Sequence, residues 1–393
     1  MKRSVAEVPI ARQRSPVVLL AAFLLASQAG AQSRSDLDVT LHGTILLNGF
    51  RNSGATNNTD VPTFALPNAG TSDLGASVRQ TRVRIEVRHP QILGGSFFSE
   101  LDADFFGGQQ PSTGGRTHPV LRLRRAIAEL RWSRAEVLAG QESPPLFAVS
   151  PASLATVGFP GFAASGNLWL WLPQIRATGW LLSGDVKLGV EGTVLAPSAG
   201  DPQGTFLTQP DRAEATGRPA FEARAVGRWR IAGRQGEAGI GAHKGWLERE
   251  DGSTMASEAF GLSLSTPIVS WLEVRGELFD GQALAGLGGG GIGQSVSADE
   301  EPIDSRGGWA QVLVLPMPQV EIGFGAGQDD PDNDDLSGES ARTRNRSWAA
   351  SVAWRPAPIA IAFEVRHLST SYGPVNPRTL EVTHLNLAIG VEF

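Results

Sequence analysis

Residues 78–88, VRQTRVRIEVR, alternate strictly between apolar and charged positions. Thr81, Val83, Ile85 and Val87 fall on one face of an extended chain, and Gln80, Arg82, Arg84, Glu86 and Arg88 on the other. Residues 97–105, FFSELDADF, repeat the design with the opposite sign: Phe97, Leu101, Ala103 and Phe105 oppose Glu100, Asp102 and Asp104. A water-soluble sandwich does not ordinarily hide three guanidiniums and three carboxylates behind successive strands. A barrel with lipid outside and water inside does. Arginine on the lipid side near the midplane costs roughly 2–4 kcal/mol per residue, so these charged rows must face an enclosed aqueous interior.

The rest of the chain carries the same signal. Sixteen amphipathic strands are expected, near 38–50, 78–89, 95–106, 120–132, 135–142, 172–184, 185–196, 219–231, 236–247, 257–266, 269–281, 306–316, 318–328, 343–355, 357–370 and 379–393. The connections between them alternate long and short, as extracellular loops and periplasmic turns do in outer-membrane barrels. The fold class is therefore all-β, a transmembrane antiparallel barrel. Trp132, Trp180, Trp229, Trp246, Trp271, Trp309, Trp348 and Trp354 mostly fall near expected strand ends and suit an interfacial girdle.

Upstream of the barrel, Lys2, Arg3, Arg12 and Arg14 precede the apolar run 17–26, and Ala29-Gly30-Ala31 follows it. Basic head, short apolar middle and small-residue end predict a signal peptide over 1–31 and a barrel over 32–393. Removing that leader takes 34 basic and 40 acidic residues to 30 and 39, a formal charge of −9. An acidic chain argues against nucleic acid as a partner. With no cysteine, thiolate chemistry and disulfides are excluded. His42, His89, His118, His243, His367 and His384 are scattered singly and no G-x-S-x-G elbow occurs, so neither an enzyme, a metal site nor a cofactor is expected. The acidic run 329–335 has the carboxylates of a calcium loop without its glycine and glutamate spacing, and reads as a solvated loop tip.

Two stretches point to function. Leu121 and Leu123 alternate with Arg122 and Arg124, which join Arg82, Arg84 and Arg88 as lumen-facing cations. Arg176 falls on a polar face too. Glu100, Asp102, Asp104 and Glu129 are expected to form an opposing acidic wall across the pore, with Glu222, Glu273 and Glu364 adding to it. Each arginine could simply be matched by a carboxylate, or some could be free to grip an anion through their planar fork. The loop 143–171 carries Phe147, Phe159, Phe162, Trp169, Trp171 and several prolines. Exposed, it would be an association hazard. Folding into the lumen, where it would narrow the pore, is preferred to packing on a neighbouring barrel.

Taken in order, Glu100-Leu-Asp-Ala-Asp-Phe-Phe-Gly-Gly108, Leu121-Arg-Leu-Arg-Arg-Ala-Ile-Ala-Glu-Leu130, Leu138-Ala-Gly-Gln141, and Gly166-Asn-Leu-Trp169 with Pro173-Gln-Ile-Arg176 resemble the DcaP-like trimeric outer-membrane porins. The resemblance covers about residues 78–176. It implies sixteen strands, a homotrimer, and passive uptake of small anions such as dicarboxylic or aromatic acids. It also implies that Arg82, Arg84, Arg122 and Arg124 contribute to an anion site. Outer-membrane lipid and lipopolysaccharide are the expected surroundings. Phe393, ending an alternating strand, is the expected signal to the barrel assembly machinery. A non-selective diffusion porin is the nearest alternative, and a structural or adhesive surface barrel a more distant one.

Overall fold

The computed structural model describes residues 36–67, 72–108, 119–200 and 209–393. The segment 1–31, where the leader is expected, lies outside them. Among the described residues, seventeen strands form a single antiparallel sheet that closes on itself. They are β1 (Asp38–Asn52), β2 (Asp73–Ser77), β3 (Arg82–Ile92), β4 (Gly95–Asp104), β5 (Arg122–Arg131), β6 (Ala135–Glu142), β7 (Leu172–Ser183), β8 (Lys187–Leu195) and β9 (Ala220–Ile231). They continue with β10 (Arg234–Glu248), β11 (Thr254–Val269), β12 (Leu272–Gln282), β13 (Asp304–Met317), β14 (Val320–Pro331), β15 (Arg342–Trp354), β16 (Ile359–Tyr372) and β17 (Arg378–Glu392). β2 and β3 pair with successive halves of β1 and share one position in the wall, so the barrel has sixteen staves.

Closure joins the first strand to the last. β1 pairs with β17 on its other side, from Thr44 opposite Glu392 to Asn52 opposite His384. Gly43 and Phe393 exchange both backbone hydrogen bonds, at 2.8 and 3.0 Å. A sheet surrounded by hydrocarbon has no water to satisfy an open edge, which makes this seam obligatory.

Side-chain alternation sorts the wall as the sequence predicts. Val83, Ile85, Leu101, Leu123, Ile175, Phe260, Leu262, Phe324, Phe363 and Leu387 are exposed on the outside. Arg82, Arg84, Glu86 and Arg88 alternate with Val83, Ile85 and Val87 on β3, and point inward. The cross-strand row Val312, Phe324, Ala350, Val365, Leu385 shows the apolar exterior of five adjacent strands.

Two expectations are corrected. The strand predicted over 78–89 is interrupted, because Arg79 turns inward to a buried ion pair with Asp60, where its Nε donates at 3.0 Å. Regular pairing starts only at Arg82. The tryptophans do not all form a girdle. Trp271 and Trp354 are about half exposed, whereas Trp180 and Trp309 point inward. There they donate to Glu136 at 3.0 Å and Glu277 at 3.1 Å, because a buried indole N–H needs a partner.

Leu385→Arg, on the lipid face well away from both rims, is expected to lower folding free energy by roughly 2–4 kcal/mol. Denaturant titration of folding into lipid vesicles measures the loss.

Candidate functional site

The inner wall of β3, β4 and β5 concentrates charge. Register places Arg82 opposite Asp104 and Arg84 opposite Asp102. On the other side, Asp104 stands opposite Arg122. Arg82 grips Asp102 through Nε and Nη2 at 2.7 and 2.5 Å. Arg122 grips Asp104 the same way at 3.1 and 2.7 Å. Arg124 donates to Asp104 at 2.8 Å and stands 3.6 Å from Asp102. Both aspartates are fully buried. Three guanidiniums therefore share two carboxylates.

The carboxylate row does not oppose the arginines across the pore, as the sequence suggested. Glu100, Asp102 and Asp104 lie on β4, between the arginine rows of β3 and β5, and Glu129 sits on β5 itself beside Arg131, which donates to it at 2.9 and 2.6 Å. Adjacent strands are about 4.8 Å apart, so opposite charges placed on neighbours pair along the wall instead of facing one another across the lumen.

The remaining predicted residues are placed as follows. Arg84 lies 3.4 Å from Glu86, and Arg88 donates to Glu86 at 2.7 Å. Arg176 donates to the Ser143 carbonyl at 2.6 Å and to Gln174 at 2.9 Å, with no carboxylate partner among the described residues. Arg125 was missed as a site residue. A bulge in β5 sets Arg125 opposite Asp102 and Leu123 opposite Ala103. The extra residue brings both Arg124 and Arg125 to the inner face. Arg125 then binds Glu100 at 2.6 Å and Glu142. Its signal was the slip in alternation at Arg125-Ala126.

The loop 143–171 runs through the barrel interior and is tied to inward-facing side chains around most of the wall. The backbone N–H groups of Leu146, Val149 and Ala152 donate to Glu222, Glu277 and Gln311 at 3.1, 2.9 and 2.8 Å. Ser153 donates to Glu364 at 2.5 Å. Asn48 and Gln80 donate to the carbonyls of Leu154 and Ala155, at 3.1 and 3.0 Å. Arg124 and Arg122 donate to the carbonyls of Val157 and Gly158, each at 2.5 Å. Asn345 reaches the Ala164 carbonyl at 2.7 Å. An irregular segment buried inside a barrel must have its polar backbone satisfied, and these side chains do that. Glu222 and Glu364 are thus sockets for the loop and not part of a charged wall facing the arginines.

Glycines on the inner face make room for this loop. A Cβ at Gly325 would stand 2.8 Å from the Phe162 ring, and one at Gly261 would stand 2.8 Å from the Phe147 ring. Phe162 stacks on Trp309 with centroids 5.8 Å apart.

Where the loop meets β5, aromatic and cationic groups converge. Phe106, Phe159, Trp169 and Trp171 form an edge-to-face chain with successive centroid separations of 5.1, 4.7 and 5.2 Å. Arg124 lies over Trp171 at 4.5 Å, and Arg122 lies 5.4 Å from both Phe159 and Trp171. Phe159, Trp169 and Trp171 stay half-buried, so their faces are not wholly used up in packing. Toward the short-turn end, a cavity of about 580 Å³ is lined by Arg125, Arg131, Glu142, Arg176, Lys187 and Arg228.

The acidic run 329–335 begins inside β14. Asp329 points inward and accepts the N–H groups of Gly290 and Ile292, both at 3.1 Å, and the Ser305 hydroxyl at 2.8 Å. Asp335 accepts from the Asp304 backbone at 2.9 Å. No cluster able to hold a metal ion occurs among the described residues.

A closed sixteen-stranded antiparallel barrel with a long loop folded against its inner wall has the architecture of outer-membrane porins. No family model matches the sequence, and no curated protein matches it either. Among solved structures, the chain resembles the outer-membrane channel DcaP of Acinetobacter baumannii, with a TM-score of 0.68 and 16% identity over 92% of this chain and 99% of that one. It also resembles an anion-selective porin from Comamonas acidovorans, with a TM-score of 0.58 and 12% identity over 91% of this chain and 100% of that one. A third similar structure is Pseudomonas putida OprB, with a TM-score of 0.54 and 11% identity over 94% of this chain and 97% of that one. At these identities the likeness establishes the fold.

Asp104→Asn should leave Arg122 and Arg124 without their shared countercharge. Breaking a buried pair costs about 3–5 kcal/mol. The variant is expected to unfold at lower temperature in detergent, read from the shift in gel mobility on heating.

Proposed function

We propose that this chain is an outer-membrane channel for passive uptake of small hydrophilic solutes, with a preference for anions such as dicarboxylic or aromatic acids. One observation carries the anion preference. Arg82, Arg122 and Arg124 share only Asp102 and Asp104 among the described residues, which leaves a surplus positive charge where the loop crosses β5. Arg82 is about a third exposed and Arg122 about a fifth, so both remain open to a passing solute. A carboxylate would meet the guanidinium fork, and an aromatic ring the half-buried faces of Phe159, Trp169 and Trp171.

The loop 143–171 acts as the constriction. Its residues lie against the inner wall, meeting β5 at Val157 and Gly158, and are held by the sockets described above. The leader 1–31, removal by the export machinery, a homotrimeric assembly and recognition of Phe393 during barrel insertion complete this reading. The fold shared with DcaP and with the anion-selective porin supports it. Non-selective diffusion is the second reading, favoured by the cavity near the short turns, where carboxylates and cations alternate.

The two readings separate at Arg82, which carries charge without touching the loop. Arg82→Ala is expected to move the reversal potential in a potassium chloride gradient toward the cation value, with single-channel conductance changed by less than about twofold. An unchanged reversal potential favours non-selective diffusion. Arg122→Ala combined with Arg124→Ala removes two of the loop's anchors as well as charge. That double variant should raise single-channel conductance and current noise together.

A further inference from the structure

Between β2 and β3 the wall is interrupted by a tight turn over residues 78–81, in which the Thr81 N–H donates to the Val78 carbonyl at 3.0 Å. Strand alternation would send one of two consecutive side chains outward. Here Arg79 and Gln80 are both buried on the inner side. Gln80 holds the loop 143–171, donating to the Ala155 carbonyl at 3.0 Å and accepting the Gly158 N–H at 2.8 Å. Arg79 serves something else. Its guanidinium is bidentate on the fully buried Asp60, with Nε at 3.0 Å, and the guanidinium carbon stands 4.1 Å from the centroid of the Phe106 ring.

Phe106 is where the aromatic chain begins. Its N–H is held at 2.9 Å by Asp104, the carboxylate that Arg122 and Arg124 share. Its ring meets Phe159 edge-to-face, with the planes 76° apart, and Phe159 meets Trp169 in turn. Arg122 stands 5.5 Å from the same ring. Phe106 is itself buried and offers a solute almost no surface. Its influence lies in the angle at which the half-buried Phe159 faces the passage. A planar guanidinium laid on an aromatic face fixes that ring's orientation as well as its place.

Asp60 reaches this point from the other side of the seam. The residues that follow it are tied to β15 and β16, where Asn345 donates to the Thr63 carbonyl at 2.9 Å and Tyr372 to the Ala65 carbonyl at 2.5 Å. A buried guanidinium without a carboxylate is strongly destabilising, so Asp60 both neutralises Arg79 and sets the plane of its fork. Closed on itself and hidden, the pair adds no net charge to the passage. Its contribution is geometric.

We infer that Arg79, locked by Asp60, is a positioning residue for aromatic carboxylates. It holds Phe106, and through Phe106 the ring of Phe159, in the orientation that receives an aryl ring while Arg122 takes the carboxylate. The interruption before β3 is what turns this side chain inward. The inference rests on the proposed uptake of anions and assigns the discrimination between aromatic and saturated acids to residues that touch neither.

Benzoate and cyclohexanecarboxylate, equal in charge and close in size, test it as blockers of the single-channel current of the purified protein in planar bilayers. Benzoate is expected to block the parent at about fivefold lower concentration. Arg79→Lys keeps the charge beside Asp60 but loses the planar fork. It should make the two acids block alike while the reversal potential in a potassium chloride gradient stays where it was. Phe106→Leu should level the two acids in the same way, and the double variant should lose nothing more. Asp60→Glu, which displaces the fork and retains its countercharge, should also level them, and it carries the test if Arg79→Lys does not fold. Heat-dependent gel mobility shows which variants are folded. Three results would overturn the assignment: equal block of the parent by both acids, a benzoate advantage that survives in Arg79→Lys, or block by both acids weakened by the same factor, as a merely structural role would produce. A parent without anion preference in its reversal potential overturns the uptake reading, whereas an anion-selective parent that treats the two acids alike overturns the role of Arg79 alone.

Discussion

Hydrocarbon offers the backbone no hydrogen-bond partner, and that single deficiency organises this molecule. It requires the seam between β1 and β17, where Gly43 and Phe393 complete the ring. It also sorts the side chains, since each strand has one face in lipid and one in an enclosed space. Once Val83 and Ile85 are committed to lipid, Arg82 and Arg84 have only the interior left. Charge accumulates there because it cannot go elsewhere, and pairing along the wall follows because neighbouring strands are closer than opposite ones.

The interior then poses the same problem again on a smaller scale. A loop packed against the inner wall carries N–H and C=O groups that burial cuts off from water unless the wall supplies partners. Glu222, Glu277, Gln311, Glu364, Gln80, Asn48 and Asn345 meet them one by one. These residues come from strands widely separated in sequence, so the loop braces the wall as much as the wall positions the loop. Space is the other half of the fit. Gly261 and Gly325 are bare where Phe147 and Phe162 approach, and β-branched residues there would exclude the rings.

Much of this was legible in the chain because alternation is local. A strand such as β3 declares both of its faces within eleven residues, and long and short connections mark the two ends. The inward turn of the aromatic loop was legible only as the preferred of two readings, since a run containing Trp169 and Trp171 could also have packed on a neighbouring barrel. What escaped was pairing geometry. Nothing local to Glu100 or Asp102 reveals which strand lies beside β4, so an acidic row flanked by arginines looked like an acidic row facing them. Nor does Glu364 announce that Ser153, some two hundred residues earlier, will reach it. The bulge at Arg124 and Arg125 left only a slip in periodicity, and the break before Arg82 left none, because it depends on Asp60 in a distant loop.

Under the proposed function the arginines of β5 have two tasks that constrain each other. Arg122 and Arg124 each spend donors on Asp104, on a loop carbonyl, and on the face of Trp171 or Phe159. A cation held by three kinds of partner is rigid, and a rigid cation would present the same charge to every solute that passed. Yet each donor used in holding the loop is one withdrawn from the solute. Arg82 escapes this compromise, since its fork is bound to Asp102 alone and its side chain is more open than that of either partner. Loop position and charge are therefore coupled through β5 and separable through β3, and the division of labour follows from which strand end the loop happens to cross.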